Sequence, residues 1–169
     1  MILLEVARKD PSPCIDYRKL NKITKTQLFP LPNEQRVETV AAAKYISALD
    51  LTKGYWQIPL TLNAQRIATF VTSFGKFRPL RMPFGLNNAP FTFSKMMADI
   101  LHGCHHFSVP YLDDVTIYSN SWEEHLSHLN AVMSKIKDTG LTITPIKCNF
   151  IQDIVKYLGH ICRWRYKNT

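Results

Sequence analysis

Apolar residues cluster in runs along this chain, and the runs are separated by short breaks rich in Pro, Gly, Ser and Asn. One run repeats at helical spacing after Ser121 and stops before Gly140; its members are Leu126, Leu129, Val132, Met133 and Ile136. Ser121 lies three residues before Glu124, which is the spacing of a capping box. This run therefore predicts a capped amphipathic helix.

Two further helices are predicted upstream. The first covers residues 34–42. The second begins at Asn87 or Asn88, either of which can cap it, and runs to about Leu101 before Gly103 ends it. Its apolar residues are expected in the core: Phe91, Phe93, Met96, Met97, Ile100 and Leu101.

Strands are predicted where short apolar runs lie between turn residues, at 45–51, 67–72, 77–82, 107–112, 115–118, 141–144 and 155–162. Gly75 supplies the turn of one hairpin, and Asp113-Asp114 lie at the turn of a second. Two prolines within residues 8–13 predict a loop there. Helices and strands interleave with antiparallel hairpins, which predicts the α+β class.

Composition limits the function classes. The 169 residues suit one domain, and 46% hydrophobic residues indicate a folded core. No window approaches the roughly 18 consecutive apolar residues of a membrane span, so we expect an intracellular, soluble chain with no membrane partner. The four cysteines contain no C-x-x-C pair, which argues against a zinc ribbon. The net charge of +8 suits a phosphate-rich partner.

Asp113 and Asp114 are adjacent acids bracketed by apolar strand residues, where two carboxylates repel each other. A third acid, Asp50, ends a separate predicted strand that sheet pairing could bring alongside. Three such carboxylates could hold two Mg²⁺ ions roughly 3.5–4 Å apart. The alternative is an Asp-Asp hairpin turn with no chemistry, and spacing alone leaves both open.

Six ordered motifs resemble the reverse-transcriptase domain of Gypsy-type long-terminal-repeat retrotransposons, across roughly residues 8–162. They are CIDYRKLN (14–21), ALDLTKGYWQI (48–58), RMPFGLNNAPFTF (81–93), VPYLDD (109–114), EHLSHL (124–129) and YLGH (157–160). The resemblance implies a polymerase palm, an antiparallel sheet covered by helices, with partial fingers. We expect this domain over residues 1–162 and a short basic tail outside the family pattern over 163–169.

The resemblance implies an RNA-directed DNA polymerase that adds deoxynucleoside triphosphates to a primer on an RNA or DNA template. Asp50, Asp113, Asp114 and the carbonyl of Leu51 would hold two Mg²⁺ ions, with Mn²⁺ as an alternative. The triphosphate and its sugar would contact Lys53, Gly54, Tyr55, Phe84 and Gly85, with Tyr55 as a steric gate against a ribose 2′-hydroxyl.

Primer and template would contact Tyr111, Leu112, Leu158, Gly159 and His160, and Lys147 is a candidate general acid for the leaving pyrophosphate. The histidines at 105, 106, 125 and 128 are expected to pack or lie on the surface and not to bind metal. All of these roles come from the resemblance or from simple packing arguments.

The chain departs from the family upstream of Cys14. Ser12 occupies the position of an arginine that grips the triphosphate, and Arg8 or Lys9 are the residues that could substitute. Thumb, ribonuclease H and integrase partners would belong to the rest of a Pol polyprotein, in the cytoplasm or a virus-like particle. Two hypotheses follow: an active polymerase domain, or an inactive remnant that keeps nucleic-acid binding.

Overall fold

The computed structural model describes residues 2–4, 12–28, 34–111, 114–151, 154–157 and 160–163. The helices are α1 (Arg18–Ile23), α2 (Glu34–Ala42), α3 (Leu62–Ile67), α4 (Ala89–Ile100) and α5 (Trp122–Asp138). The strands are β1 (Ile2–Leu4), β2 (Ser12–Cys14), β3 (Tyr45–Asp50), β4 (Phe70–Thr72), β5 (Gly75–Phe77), β6 (Ser108–Tyr111), β7 (Asp114–Ser119), β8 (Ile154–Tyr157) and β9 (His160–Arg163). Two 3₁₀ turns lie at Gly54–Gln57 and Pro145–Lys147.

The chain divides into two compact units. Unit 1 comprises residues 1–29 and 53–93, and unit 2 comprises residues 30–52 and 94–169. Helices are mixed with antiparallel strands, which confirms the α+β class. Among the helices of the described part, none has the length and apolar character needed to cross a membrane.

Unit 2 is built on a three-stranded antiparallel sheet in the order β3-β7-β6. β3 pairs with β7 along its full length, from Tyr45 opposite Ser119 to Asp50 opposite Asp114. The β6–β7 hairpin confirms the predicted hairpin around the adjacent acids. β3 is buried on both faces, because Ile46 and Leu49, three positions apart on the strand, are both fully buried.

The other edge of β3 is covered by the segment that follows α5. Ala48 exchanges backbone hydrogen bonds with Asn149, at 2.7 and 2.8 Å. Further along, Thr144 N–H donates to Asp50 O at 2.8 Å, and Thr52 N–H donates to Thr142 O at 3.0 Å. These bonds satisfy backbone groups that an open edge would leave unpaired.

Helix α5 begins where the sequence predicts, because the Ser121 side chain accepts a hydrogen bond from Glu124 N–H at 3.3 Å. Its buried face differs from the prediction. The residues it buries are His125, Leu129, Val132 and Ile136, whereas Leu126 and Met133 are exposed. His125 takes the core position because β3 and β7 offer it two serine hydroxyls.

Ser47 Oγ lies 2.8 Å from His125 Nε2, and Ser119 Oγ lies 3.0 Å from His125 Nδ1. Burial is the main cause that lowers the pKa of His125 below its ordinary value of 6.5, with a smaller contribution from His128. A buried neutral imidazole with both ring nitrogens bonded is stable there, while its protonated form is disfavoured.

Unit 1 contains the shorter elements. The Tyr17 hydroxyl is buried and donates to Ala68 O at 2.9 Å. At the start of α1, hydrogen bonds from the Arg18 guanidinium and amide hold the pKa of Asp16 well below its usual range. The predicted hairpin around Gly75 is present as β4 and β5, but its second strand is wrong: β5 covers Gly75–Phe77, and of the rest of residues 77–82 Arg81 forms an isolated bridge with Pro59.

Several predicted boundaries are wrong. Ile67 ends helix α3, which was not predicted; Thr61 caps it by accepting from Ala64 N–H. Residues 141–144 form one isolated bridge, Leu51 with Ile143, instead of a strand. The run at 155–162 contributes to two paired strands, β8 and β9, with 158–159 outside the described residues.

The predicted loop over 8–13 is wrong at its end, because Ser12 and Pro13 lie in β2, paired with β1. A strand of a two-stranded sheet has a free edge, where proline is tolerated. Residues 8–11 lie outside the described residues. The helix predicted over 34–42 is confirmed, and α4 confirms the next one. Of its predicted core residues, Phe93, Met97 and Leu101 are buried, whereas Phe91, Met96 and Ile100 are only half-buried.

The lowered pKa of His125 predicts a pH-dependent stability. The unfolded chain binds a proton at this residue at higher pH than the folded chain, so stability is full above about pH 6.5 and falls as the pH drops below it. We expect the thermal midpoint of the parent to fall more between pH 7 and pH 5.5 than that of His125→Gln. Equal slopes in the two proteins, measured by circular dichroism melts, would contradict the assignment.

Candidate active site

Two carboxylates lie side by side at the end of the unit 2 sheet. Asp50, the last residue of β3, is directly opposite Asp114, the first residue of β7. Side chains of directly opposed residues in an antiparallel pair emerge on the same face of the sheet, with Cβ atoms roughly 5 Å apart. Asp114 is exposed, and the side chain of Asp50 is 22% exposed. The register therefore brings together two of the three acids that the sequence singled out.

Lys147 lies beside this pair. It ends the 3₁₀ turn Pro145–Lys147, and its Nζ is 3.6 Å from Asp50 Oδ2. The turn is held near β3 by the backbone bond from Thr144 to Asp50 and by a 2.9 Å contact between the hydroxyls of Thr52 and Thr144. Since the lysine side chain is 64% exposed, this ion pair contributes at most about 1 kcal/mol.

The other oxygen of Asp50 fits a cation site. Oδ1 is buried and has no hydrogen-bond partner among the residues that the structure describes. A buried carboxylate oxygen without a donor is costly, and a hard divalent cation with oxygen ligands would satisfy it. Within the described residues no group of three or more His, Cys, Asp or Glu side chains is placed to hold a metal ion. Asp113 lies outside the described residues.

In unit 1, the residues after β3 form a tight turn. Lys53 adopts a left-handed conformation, with φ 46° and ψ 51°, and the right-handed 3₁₀ turn Gly54–Gln57 follows. Successive N–H groups in such a left-to-right sequence point to one side and form a concave anion site. Tyr55, inside this turn, packs edge-on against Phe84 and Phe93, with ring centroids 5.2 and 5.6 Å apart.

The loop at Phe84-Gly85 is held from helix α1. Gly85 has φ +94°, and a Cβ there would lie 3.4 Å from Ile15 O, so only glycine fits without strain. Asn21 Nδ2 donates to Gly85 O at 2.7 Å, and Asn21 Oδ1 accepts from Asn87 N–H at 3.0 Å. One side chain therefore secures both ends of the loop.

A second asparagine extends the same connection. Asn88 directly precedes α4, but its side chain accepts from Gln27 N–H at 3.0 Å and donates to Lys25 O at 3.0 Å. Its side chain thus links the end of the α1 region to the start of α4. Sequence reasoning assigned Asn88 only as a cap, and it gave Asn21 no role beyond membership of the first motif.

Several predicted site residues are described only in part. Leu112, Asp113, Leu158 and Gly159 lie outside the described residues. Tyr111 ends β6 opposite Asp114, and His160 begins β9 opposite Tyr157. Leu51 is fully buried beside Asp50 in the chain. The primer-side assignments therefore remain predictions.

The histidines are held by packing contacts. His128 stacks face to face on Phe107 with a centroid separation of 3.8 Å, and His106 packs edge-on against the same ring at 4.7 Å. His105 contacts His106 edge-on at 5.7 Å. His125 lies in the hydrogen-bonded core described above.

Known proteins identify the fold and the family. A sequence profile described as reverse transcriptase (RNA-dependent DNA polymerase) matches residues 8–162. The chain belongs to the reverse transcriptase family. It is 39% identical over 149 residues to the retrovirus-related Pol polyprotein from transposon 297 of Drosophila melanogaster, covering 87% of this chain and 14% of that protein.

The Gypsy-type resemblance is confirmed by a similar protein from the same organism. The retrovirus-related Pol polyprotein from transposon gypsy is 33% identical over 149 residues, which cover 87% of this chain and 14% of that protein. This reverse transcriptase chain therefore spans about one seventh of the length of these two Pol polyproteins.

A solved structure shows the same fold. The foamy viral protease-reverse transcriptase, solved in complex with double-stranded DNA, superposes with a TM-score of 0.81 over 95% of this chain and 28% of that chain, at 24% sequence identity. The described strands and helices thus form a reverse-transcriptase palm, as the sequence motifs predict.

Replacing Asn21 by Ala removes both hydrogen bonds that secure the Phe84-Gly85 loop. Two bonds of this kind together stabilise the fold by about 1–2 kcal/mol. We therefore expect the free energy of unfolding, measured by urea denaturation, to fall by that amount. The control is Asn63→Ala on the exposed surface of α3, where we expect less than about 0.5 kcal/mol of change. Equal effects of the two substitutions would show that the loop does not depend on Asn21.

Proposed function

We propose that this chain is the polymerase domain of a retroelement Pol polyprotein, which extends a primer 3′-hydroxyl with deoxynucleoside triphosphates on an RNA or DNA template. The observation that carries the proposal is the register of β3 on β7, which sets Asp50 opposite Asp114, with one buried Asp50 oxygen that has no hydrogen-bond partner among the described residues. Membership of the reverse transcriptase family supports it.

The charge distribution supports a nucleic-acid partner. Unit 1 carries eleven Lys and Arg against three Asp and Glu, whereas unit 2 carries ten of each. Residues 53–93 contain five basic residues and no acid. A surface with such an excess of positive charge binds phosphate backbones by releasing counterions. Solved structures of the foamy viral protease-reverse transcriptase contain double-stranded DNA or an RNA/DNA hybrid, and we propose the same classes of partner here.

In this proposal Asp50, Asp113, Asp114 and the Leu51 carbonyl hold two Mg²⁺ ions. Bound divalent cations supply charge neutralisation at the triphosphate and a lowered pKa at the attacking hydroxyl. Lys147, whose Nζ lies 3.6 Å from Asp50 Oδ2, is the proposed proton donor to a pyrophosphate oxygen. The chemistry is otherwise positioning and electrostatics, as in other phosphoryl and nucleotidyl transfers.

The unit 1 residues bind and select the nucleotide. The N–H groups of the turn at Lys53 and Gly54 cradle the triphosphate as a nest. The ring of Tyr55, braced by Phe84 and Phe93, blocks a ribose 2′-hydroxyl. Gly85 lets the backbone approach the sugar and base because it carries no Cβ. In the family an arginine at the position of Ser12 grips the triphosphate. Arg8 or Lys9 would take over this role here.

Further parts of the proposal concern the rest of the chain. Residues 1–162 form the domain, with partial fingers and palm, and 163–169 form a basic tail. Tyr111, Leu112, Leu158, Gly159 and His160 contact primer and template. The cytoplasm or a virus-like particle is the proposed location, with thumb, ribonuclease H and integrase segments as partners from the same polyprotein.

The test is primer extension on poly(rA)/oligo(dT) with Mg²⁺, using Asp50→Asn against the parent chain. The amide keeps the shape of the carboxylate but lacks its charge, so we expect the rate to fall about 10³-fold, equivalent to several kcal/mol of lost transition-state stabilisation. Asp99→Asn, on the exposed side of α4, makes the same change of charge and is the control, with an expected effect below about twofold.

Extension by Asp50→Asn at the parent rate would exclude a role for this carboxylate in catalysis. Failure of the folded parent to extend at all would favour the second hypothesis, an inactive domain that keeps only nucleic-acid binding. Salt-dependent binding of the primer-template in the same sample would then identify that remaining function.

A further inference from the structure

A buried polar cluster in unit 2 lies outside the proposed active site. Its centre is His125 on α5, which is fully buried. Ser47 of β3 and Ser119 of β7, also buried, contact the two nitrogens of its ring. Ser119 Oγ is also 2.8 Å from His128 Nδ1, and Ile151 N–H donates to Ser47 Oγ at 3.0 Å. Five residues from four parts of unit 2 thus share one hydrogen-bonded chain.

One direction of the protons along this series of hydrogen bonds lets both serine hydroxyls donate as well as accept. Each serine hydroxyl carries one proton and can donate only once. Ser47 Oγ already accepts from Ile151 N–H, so its own proton is available for His125 Nε2. His125 Nδ1–H then donates to Ser119 Oγ, whose proton goes to His128 Nδ1. In this arrangement every buried hydroxyl donates and accepts, which requires the neutral Nδ1–H form of His125.

At Ile151, the residue at one end of this series of hydrogen bonds, the backbone is strained. Ile151 has φ +53°, a left-handed conformation that is unfavourable for a β-branched residue. Such a conformation persists only where surrounding contacts impose it. The bond from Ile151 N–H to the buried Ser47 hydroxyl is the contact that the structure shows at this position.

This contact is one of the bonds that hold the segment carrying Lys147 against β3, together with those of Thr144 and Asn149. The strained residue ends the run of bonds by which residues 142–149 cover the edge of β3. Ser47 lies three residues before Asp50 on that strand, and Lys147 lies four residues before Ile151. The Ser47–Ile151 bond therefore closes the end of the same edge at which the Lys147–Asp50 pair forms.

We propose that His125 is a positioning residue: by orienting the Ser47 hydroxyl it holds the segment up to Ile151 against β3 and keeps Lys147 beside Asp50. The proposal rests on the proposed polymerase function of Asp50. It assigns a task to a buried histidine whose side-chain contacts are with Ser47, Ser119 and Tyr45, none of which is a proposed metal or nucleotide ligand.

Two substitutions at His125 separate the Ser47 contact from the Ser119 contact. The amide of Gln reaches about as far as Nε2, so His125→Gln can still accept from Ser47. The amide of Asn reaches about as far as Nδ1, so His125→Asn keeps Ser119 and leaves Ser47 without its acceptor. Ser47→Ala removes the link with little change of volume and is the variant that is safest for folding. His128 lies at the other end of the hydrogen-bonded series from Ile151, so His128→Gln is the matched control.

The first measurement is hydrogen exchange of the Ile151 amide in the metal-free chain, with the Val132 amide of α5 as internal reference. We expect exchange at Ile151 to be at least tenfold faster in Ser47→Ala and His125→Asn than in the parent. We expect changes below about threefold in His125→Gln and His128→Gln. A general loss of stability would speed Val132 as well, so the ratio of the two amides isolates the local effect.

The second measurement is primer extension by the same variants. His125→Asn is expected to lower kcat about tenfold with an unchanged KM for the nucleotide, and His125→Gln is expected to restore most of the loss. Unchanged protection of Ile151 in Ser47→Ala overturns the proposal whatever the activity. Faster exchange at Ile151 with unchanged kcat overturns it as well, because the cluster is then structural only.

These outcomes are distinct from failure of the proposed function. That function fails if Asp50→Asn extends primers like the parent, or if the parent does not extend at all. If the parent is inactive, the positioning proposal falls with the polymerase reaction that it serves. The exchange ratio would still show whether Ser47 holds Ile151.

Discussion

The pairing of β3 with β7 is the constraint on which the rest of unit 2 depends. It sets Asp50 opposite Asp114, so two negative charges end neighbouring strands on one face of the sheet. Like charges at this separation destabilise a sheet unless something neutralises them. Lys147 supplies one positive charge at 3.6 Å, and Asp50 Oδ1 stays buried with no donor in the part of the chain that the structure describes. This pair of carboxylates lowers the stability of the fold by itself. Such a cost is expected at a site where a bound cation neutralises the two charges.

The surrounding structure keeps that register in place. One edge of β3 is bonded to β7 and the other to residues 142–149, so the strand cannot slip by one residue without breaking bonds on both sides. Helix α5 adds the buried His125, whose two serine contacts tie β3 to β7, three residues from Asp50 and five residues from Asp114. In unit 1 Asn21 has a comparable role, because its side chain is hydrogen-bonded to the backbone of the loop at both Gly85 and Asn87.

Sequence patterns predicted much of this, and the failures have physical causes. The acids at 50 and 114, the β6–β7 hairpin and the capped helix α5 were predictable because each has a local signal. The strand predicted at 141–144 was wrong, because this segment forms one isolated bridge, between Ile143 and Leu51. Pairing of this kind is decided by tertiary contacts and not by the local sequence. His125 in place of Leu126 in the core follows from serines that lie 78 and 6 residues away, and Asn21 acts on a loop more than 60 residues distant. No local pattern carries such information.

The most direct test of the paired-carboxylate account is a Mg²⁺ titration of the metal-free chain, followed by the amide resonances of Asp50 and Asp114. The account predicts saturable shifts at both residues in the parent, and loss of saturation in Asp50→Asn but not in Asp99→Asn. Weak affinity is expected, because substrate phosphates supply part of the Mg²⁺ coordination in such sites. Identical titration curves for the parent and Asp50→Asn would contradict the claim that the β3–β7 register builds a cation site.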